Sequence, residues 1–238
     1  MFRIKKIQSA QFLTKTSLML GVLVSVMGCS KQPIETPVSV YCSIINEKLL
    51  TFSRLNNFEK NKFSELLETR FMNYKGEFQE AAEAFNLEWE LLAAVAYQES
   101  QWNPKARSST QVKGMMMLTL PTAASVGVTN RLDPIQSIFG GAQYLAELGK
   151  IVDYGTSSGD QIAFVLAAYN LGMTNINNAV KEMNRNPTKV SWLELEAHLI
   201  KSQSIMDSEG YSRGQQTVDF VERVRDYYYL MLGQNCIT

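Results

Sequence analysis

The chain has 238 residues, 45% of them hydrophobic and 19% charged, the balance of a sequence that can bury one sizeable core and not of a disordered one. Its 23 basic residues equal its 23 acidic ones, so composition points away from nucleic acid as a partner. One histidine and three cysteines supply neither a clustered metal-binding set nor a histidine-based triad. No glycine-rich phosphate loop sits between a strand and a helix, so no metal and no cofactor are expected.

Arg3, Lys5, Lys6 and Lys15 precede an apolar run over residues 18–28, the layout of a secretory signal. The run is short for a permanent membrane span and ends in Val26-Met27-Gly28-Cys29-Ser30. That ending resembles a bacterial lipobox, with Met27 an unusual occupant. The resemblance implies that residues 1–28 are a lipoprotein signal peptide, that Cys29 is lipidated, and that the mature chain is tethered to a membrane by acyl chains. Ser30 in place of an aspartate points, by the same analogy, to the outer membrane facing the periplasm. Removing residues 1–28 takes four basic side chains and no acid, leaving a net charge of about −4. Residues 29–43, polar at first and broken by Pro33 and Pro37, read as a tether.

The other two cysteines, Cys42 and Cys236, lie near opposite ends of the mature chain. In an oxidising compartment they are candidates for one disulfide, stabilising the fold by up to about 5 kcal/mol on the chain-entropy account; two separately buried thiols are the alternative.

An N-terminal helical segment is expected over residues 44–77. Leu49, Leu50, Phe52, Leu55 and Phe58, then Phe63, Leu66, Leu67 and Phe71, recur at three- and four-residue spacing, which predicts two helices. Helical signal then runs unbroken over residues 80–100 and stops at Asn103-Pro104, because the residue before proline disfavours the helical region. Residues 103–117 read as a loop. Pro121 opens the next helix and Asp133-Pro134 another. Asp160 is expected to cap an apolar helix over residues 162–171, which Gly172 ends. Further helices are predicted over residues 175–183, 192–200 and 217–232. His198 falls inside one of them and reads as structural. With no period-2 strand and no internal repeat, the fold class is all-α.

The informative segment is the apolar stretch over residues 91–104, whose last turn presents one carboxylate, Glu99. Helix carbonyls and apolar neighbours such as Tyr97 or Trp102 both disfavour the anion and raise its pKa, as a general acid for a glycosidic oxygen requires. A solvated glutamate at a helix end is the commoner fate of such a residue.

Three motifs in order tip that balance: Glu99-Ser100 with Trp102-Asn103-Pro104, then Gly114-Met115-Met116-Met117-Leu118, then Ala168-Tyr169-Asn170-Leu171-Gly172. Together they resemble the soluble-lytic-transglycosylase, goose-lysozyme-like family over residues 78–224. The resemblance implies a lysozyme-like helical domain with a substrate cleft over residues 78–238, peptidoglycan glycan strands as the partner, and Glu99 as the single catalytic acid. Ser108 matches the loop serine that hydrogen-bonds the catalytic carboxylate. Gly114, Met115, Met116 and Met117 match the loop lining the saccharide cleft, and Tyr169 and Asn170 match the helix end facing the glutamate. Without the family, a methionine run reads as core filling and Tyr169 equally as a core aromatic.

Three positions depart from the pattern. Gln111 replaces a common loop glycine, Met117 a common glutamine, and Phe220 a substrate-side tyrosine. Tyr211 or Tyr227 are candidates to supply the hydroxyl that Phe220 lacks. The resemblance implies that Glu99 protonates the β-1,4 oxygen between N-acetylmuramic acid and N-acetylglucosamine, then deprotonates the C6 hydroxyl of the same sugar to give a 1,6-anhydro end. A goose-type lysozyme that delivers water, and a glycan-binding lipoprotein that has lost activity, are the competing readings.

Overall fold

The computed structural model describes residues 37–202 and 212–236. The expected signal peptide, the expected lipidation site Cys29 and the candidate Tyr211 lie outside the described residues. Among those described, helices α1 (Pro37–Thr51), α2 (Asn57–Thr69), α3 (Lys75–Phe85), α4 (Trp89–Ser100), α5 (Leu120–Ser125), α6 (Pro134–Ile151), α7 (Ser158–Leu171), α8 (Met173–Glu182), α9 (Trp192–Lys201) and α10 (Arg213–Gly233) carry the fold. Among the described residues no strand forms; isolated bridges join Arg107, Lys113 and Leu118 in the long loop.

The centre of the core is α4. Its residues Leu92 through Tyr97 are buried without a polar face, the pattern of a helix surrounded by others. The longest helix, α10, packs along α4 and touches α1, α7 and α9, while α3 and α7 pack on α6. Gly214 lets α10 pass the end of α9, since a Cβ there would stand 2.0 Å from the Leu199 carbonyl oxygen. Buried Asp226 on α10 accepts a hydrogen bond from the backbone N–H of Arg54 at 2.8 Å. This bond, with the Cys42–Cys236 disulfide and the Arg223–Glu59 ion pair, fastens the N-terminal helices to the last one.

Several boundaries differ from expectation, each for a local reason. The first helix starts at Pro37, so residues 37–43 of the expected tether are helical; proline is suited to a first turn. The apolar pattern of the N-terminal segment divides in two. Leu50, Phe52 and Phe58 are exposed, while Leu55, Phe63, Leu66 and Phe71 enter the core. Asn56 and Glu59 form a reciprocal cap that starts α2 after the break.

The run over residues 80–100 is two helices. Asn86 adopts a left-handed conformation at φ 55°, which asparagine tolerates better than most residues, and the Leu87 N–H closes back on the Ala82 carbonyl at 2.8 Å. Ser157, not Asp160, caps α7. Asp160 instead accepts from Thr156 and from the backbone N–H of Trp192 at 2.8 Å, joining α7 to α9. His198 pairs with Glu182 at 3.1 Å.

Candidate active site

Glu99 lies in the last turn of α4, partly buried. Desolvation pushes its carboxyl up to about 8, because the charged form loses water without gaining a cation. Tyr169 on α7 faces it: the negative charge of Glu99, after burial itself, is what holds the Tyr169 hydroxyl well above the usual phenol range. A second phenol follows, since the ring of Tyr144 on α6 lies 5.4 Å from that of Tyr169.

The methionine loop is held against this helix end through its main chain. Ser100, next to Glu99, donates to the Met115 carbonyl at 2.7 Å. Buried Ser137 on α6 accepts from the Met116 N–H at 3.1 Å, and the Tyr169 hydroxyl donates to the Met116 carbonyl at 2.9 Å. Three helices thus grip two consecutive peptide groups, each through a hydroxyl, in a region where unpaired backbone groups are costly.

Two glycines allow the loop to sit there. A Cβ on Gly114, at φ +87°, would fall 1.8 Å from the Arg131 carbonyl oxygen, and one on Gly141 would meet the Met116 side chain at 2.6 Å. The close approach that requires glycine at position 114 is to the Arg131 backbone.

Met115 and Met116 are 0% exposed, so their side chains fill the core and only Met117 of the run reaches the surface. Phe220 is likewise buried in the core. Its lack of a hydroxyl follows from an apolar setting in which a phenol oxygen would need a partner. Tyr227 does not stand in for it, because its ring stacks on Phe63 at 5.5 Å and its hydroxyl faces Arg223. Ser108 does not reach the carboxylate among the described contacts. It shares a hydrogen bond with Thr110 at 2.8 Å and accepts from the Val112 N–H, closing its own turn.

Asn170 is exposed. Its amide oxygen accepts from the buried Thr217 hydroxyl at 2.9 Å, which fixes the orientation of the amide from α10.

Sequence reasoning missed Ser137, Tyr144 and Thr217 as parts of the site, and gave Ser100 no role beyond its place beside Glu99 in the first motif. The outer side of the loop borders a concavity of about 450 Å³ lined by Ser109, Thr110, Gln111, Thr119, Leu120, Pro121 and Arg131. Glu99 does not line it. Gln111, where the family commonly has glycine, is left-handed at φ 65°, and its carbonyl accepts from Arg131 at 2.9 Å.

The end of α4 is unusual in having two consecutive left-handed non-glycine residues, Gln101 at φ 52° and Trp102 at φ 55°. Such residues cost about 1–3 kcal/mol each and persist where the surroundings over-determine them. The Trp102 indole is fully buried, donates to the Ala93 carbonyl at 2.9 Å and packs against Phe63, Phe71 and Tyr97.

Residues 76–191 match the family model described as the transglycosylase SLT domain. This segment, just under half of the chain, is an SLT transglycosylase domain. Relatives named membrane-bound lytic murein transglycosylase F include one from Shewanella loihica, 39% identical over 77% of this chain and 40% of its own length. Another, from Vibrio cholerae, is 38% identical over 82% of this chain and 38% of its own length. The chain therefore spans about two fifths of the length of these relatives. A solved structure of an inactive mutant of lytic transglycosylase Slt from Pseudomonas aeruginosa aligns with a TM-score of 0.52 and 20% identity, covering 69% of this chain and 24% of that one. The shared fold is the all-helical, lysozyme-like SLT architecture.

Two outcomes follow from this geometry. The Glu99 carboxyl is raised from its ordinary value of 4.5 to about 8, so between those values the folded protein holds a proton that the unfolded chain has released. Stability is therefore fully present below pH 4.5 and falls as pH rises toward 8, by at most about 1.4 kcal/mol per pH unit from this group. Urea unfolding across that range is expected to show this slope in the wild type and its loss in Glu99→Gln. At the strained loop position, Gln111→Gly is expected to stabilise by up to about 1 kcal/mol; a lower urea midpoint would show that no strain is stored there.

Proposed function

We propose that the protein is a peptidoglycan lytic transglycosylase in which Glu99 acts first as acid and then as base. One observation carries the reading: a lone glutamate at the end of a buried helix, its carboxyl raised to about 8 by desolvation and faced by Tyr169, stays protonated at neutral pH. A protonated carboxyl is what departure of a sugar oxygen requires.

In the proposed reaction Glu99 gives its proton to the β-1,4 oxygen joining N-acetylmuramic acid to N-acetylglucosamine, and that C–O bond breaks. Positive charge develops at C1 of the muramic acid residue and is shared by its acetamido oxygen. The Glu99 carboxylate then removes the proton from the C6 hydroxyl of the same sugar, O6 bonds to C1, and the acid is regenerated with a 1,6-anhydro end as product. No water is consumed.

Two-carboxylate glycosidases divide these tasks between residues; here the substrate's own hydroxyl replaces the second one. Tyr169 and Asn170, fixed by the Met116 carbonyl and by Thr217, support the reading as groups able to orient the carboxyl and an acetamido group.

The reading extends to the cell envelope. The names of the relatives, membrane-bound lytic murein transglycosylases, and the Cys29 motif support a lipid-anchored protein of the outer membrane facing the periplasm.

Digestion of purified sacculi tests the chemistry. Wild-type protein is expected to release anhydro-ended fragments, with activity falling as pH rises through about 8, and Glu99→Gln is expected to lose at least about a thousandfold in rate. Fragments heavier by one water would establish a goose-type hydrolase, and equal rates for Glu99→Gln and wild type would establish that this residue is not the acid.

A further inference from the structure

The turn after Glu99 is held from outside the family-matched segment. Arg70 is the residue that ends α2, six positions before that segment begins. Its Nη1 donates to the Gln101 carbonyl, 31 residues on, at 3.1 Å. Gln101 is the first of the two left-handed residues that stop α4, and its own N–H closes on the Tyr97 carbonyl at 2.7 Å.

The two residues of the turn are secured differently. Trp102 is locked by its buried indole and three aromatic neighbours. Gln101 is exposed, and the bond from Arg70 is its one contact to a distant part of the chain among the described hydrogen bonds. A left-handed glutamine is disfavoured by the clash of its Cβ with the following carbonyl. Once its carbonyl is released, the cheapest relaxation is to continue the helix through Gln101. That would rotate the last turn of α4, the turn that carries Glu99 and the Ser100 hydroxyl bound to Met115.

We propose that Arg70 is a positioning residue for Glu99, acting by clamping the Gln101 carbonyl so that α4 ends at Ser100. The proposal rests on the reading of Glu99 as the acid. Arg70 is well placed for the task because the middle of α2 is itself fixed: Phe63 lies 4.8 Å from Tyr97 and 5.5 Å from Tyr227, ring to ring. A cation at a helix C-terminus also meets favourable carbonyl dipoles. The N-terminal helices on this account are part of the catalytic unit.

The test uses the full chain on soluble peptidoglycan strands, with four variants. Arg70→Met is expected to lower kcat about tenfold while KM stays within about twofold, since the acid is displaced and the sugar contacts remain. Adding Gln101→Gly to it is expected to restore kcat to within about threefold, because glycine takes the left-handed conformation without the clamp. Arg223→Gln, which loosens the same helix at its other end, is expected to lower the melting temperature with kcat within about twofold of wild type. An Arg70→Met protein with wild-type kcat, or a double variant no faster than the single one, would overturn the proposal; an unfolded single variant leaves the double variant and wild type as the deciding pair, with recovery of kcat in the double supporting the clamp and its absence refuting it. Glu99→Gln in the same assay tests the underlying reading separately, because a wild-type rate there removes the acid whatever Arg70 does.

Discussion

A carboxyl group withdrawn from water with no cation beside it is the constraint around which the rest of this molecule is arranged. Left to itself such a group would turn toward solvent or recruit a lysine or arginine. Here α4 is buried along its middle and stops abruptly one residue beyond Glu99. The group shown to face the carboxyl is the Tyr169 phenol. The surroundings therefore raise its pKa by desolvation alone, and they do so only while the helix end, the methionine loop and α7 keep their places.

Main-chain hydrogen bonds do most of that holding. Ser100, Ser137 and Tyr169 reach the loop from three different helices and bind the peptide groups of Met115 and Met116, while the two methionine side chains plug the core behind them. The loop is thus fixed from both sides: hydroxyls grip its backbone and apolar packing grips its side chains. Glycines at 114 and 141 are the sequence cost of bringing backbone that close. On the opposite side of the helix end, the aromatic group of Phe63, Phe71, Tyr97 and Trp102 fills the space under the strained turn, joining α2 to a site that the matched family segment does not contain whole.

How much of this was legible in the sequence depended on the range of the interaction. Glu99, Tyr169, Asn170 and the loop were readable because short motifs carry them. The all-helical class was readable because apolar spacing is a local property. Two helix boundaries were not: Asn86 breaks the 80–100 run by taking a left-handed conformation that neither glycine nor proline announced, and several polar residues between Thr156 and Asp160 competed to be the cap of α7. Ser137 and Tyr144 lie on α6, and Arg70 at the end of α2, each contributing through contacts with residues far along the chain. Nothing in their local pattern sets them apart. Met115 and Met116 were assigned to the cleft by motif, yet the bland expectation that a methionine run fills a core describes their side chains better. The motif marks the loop's backbone, and burial decides where its side chains go. Phe220 is explained in the same way, since its setting is apolar.

The most direct check on the account is a carbon-13 titration of the Glu99 side-chain carboxyl in the folded protein, assigned by comparison with Glu99→Gln. A midpoint near 8 is the expected result, well separated from the other glutamates. A midpoint near the ordinary glutamate value of 4.5 would contradict the central claim, because the group would then be ionised at neutral pH and have no proton to give.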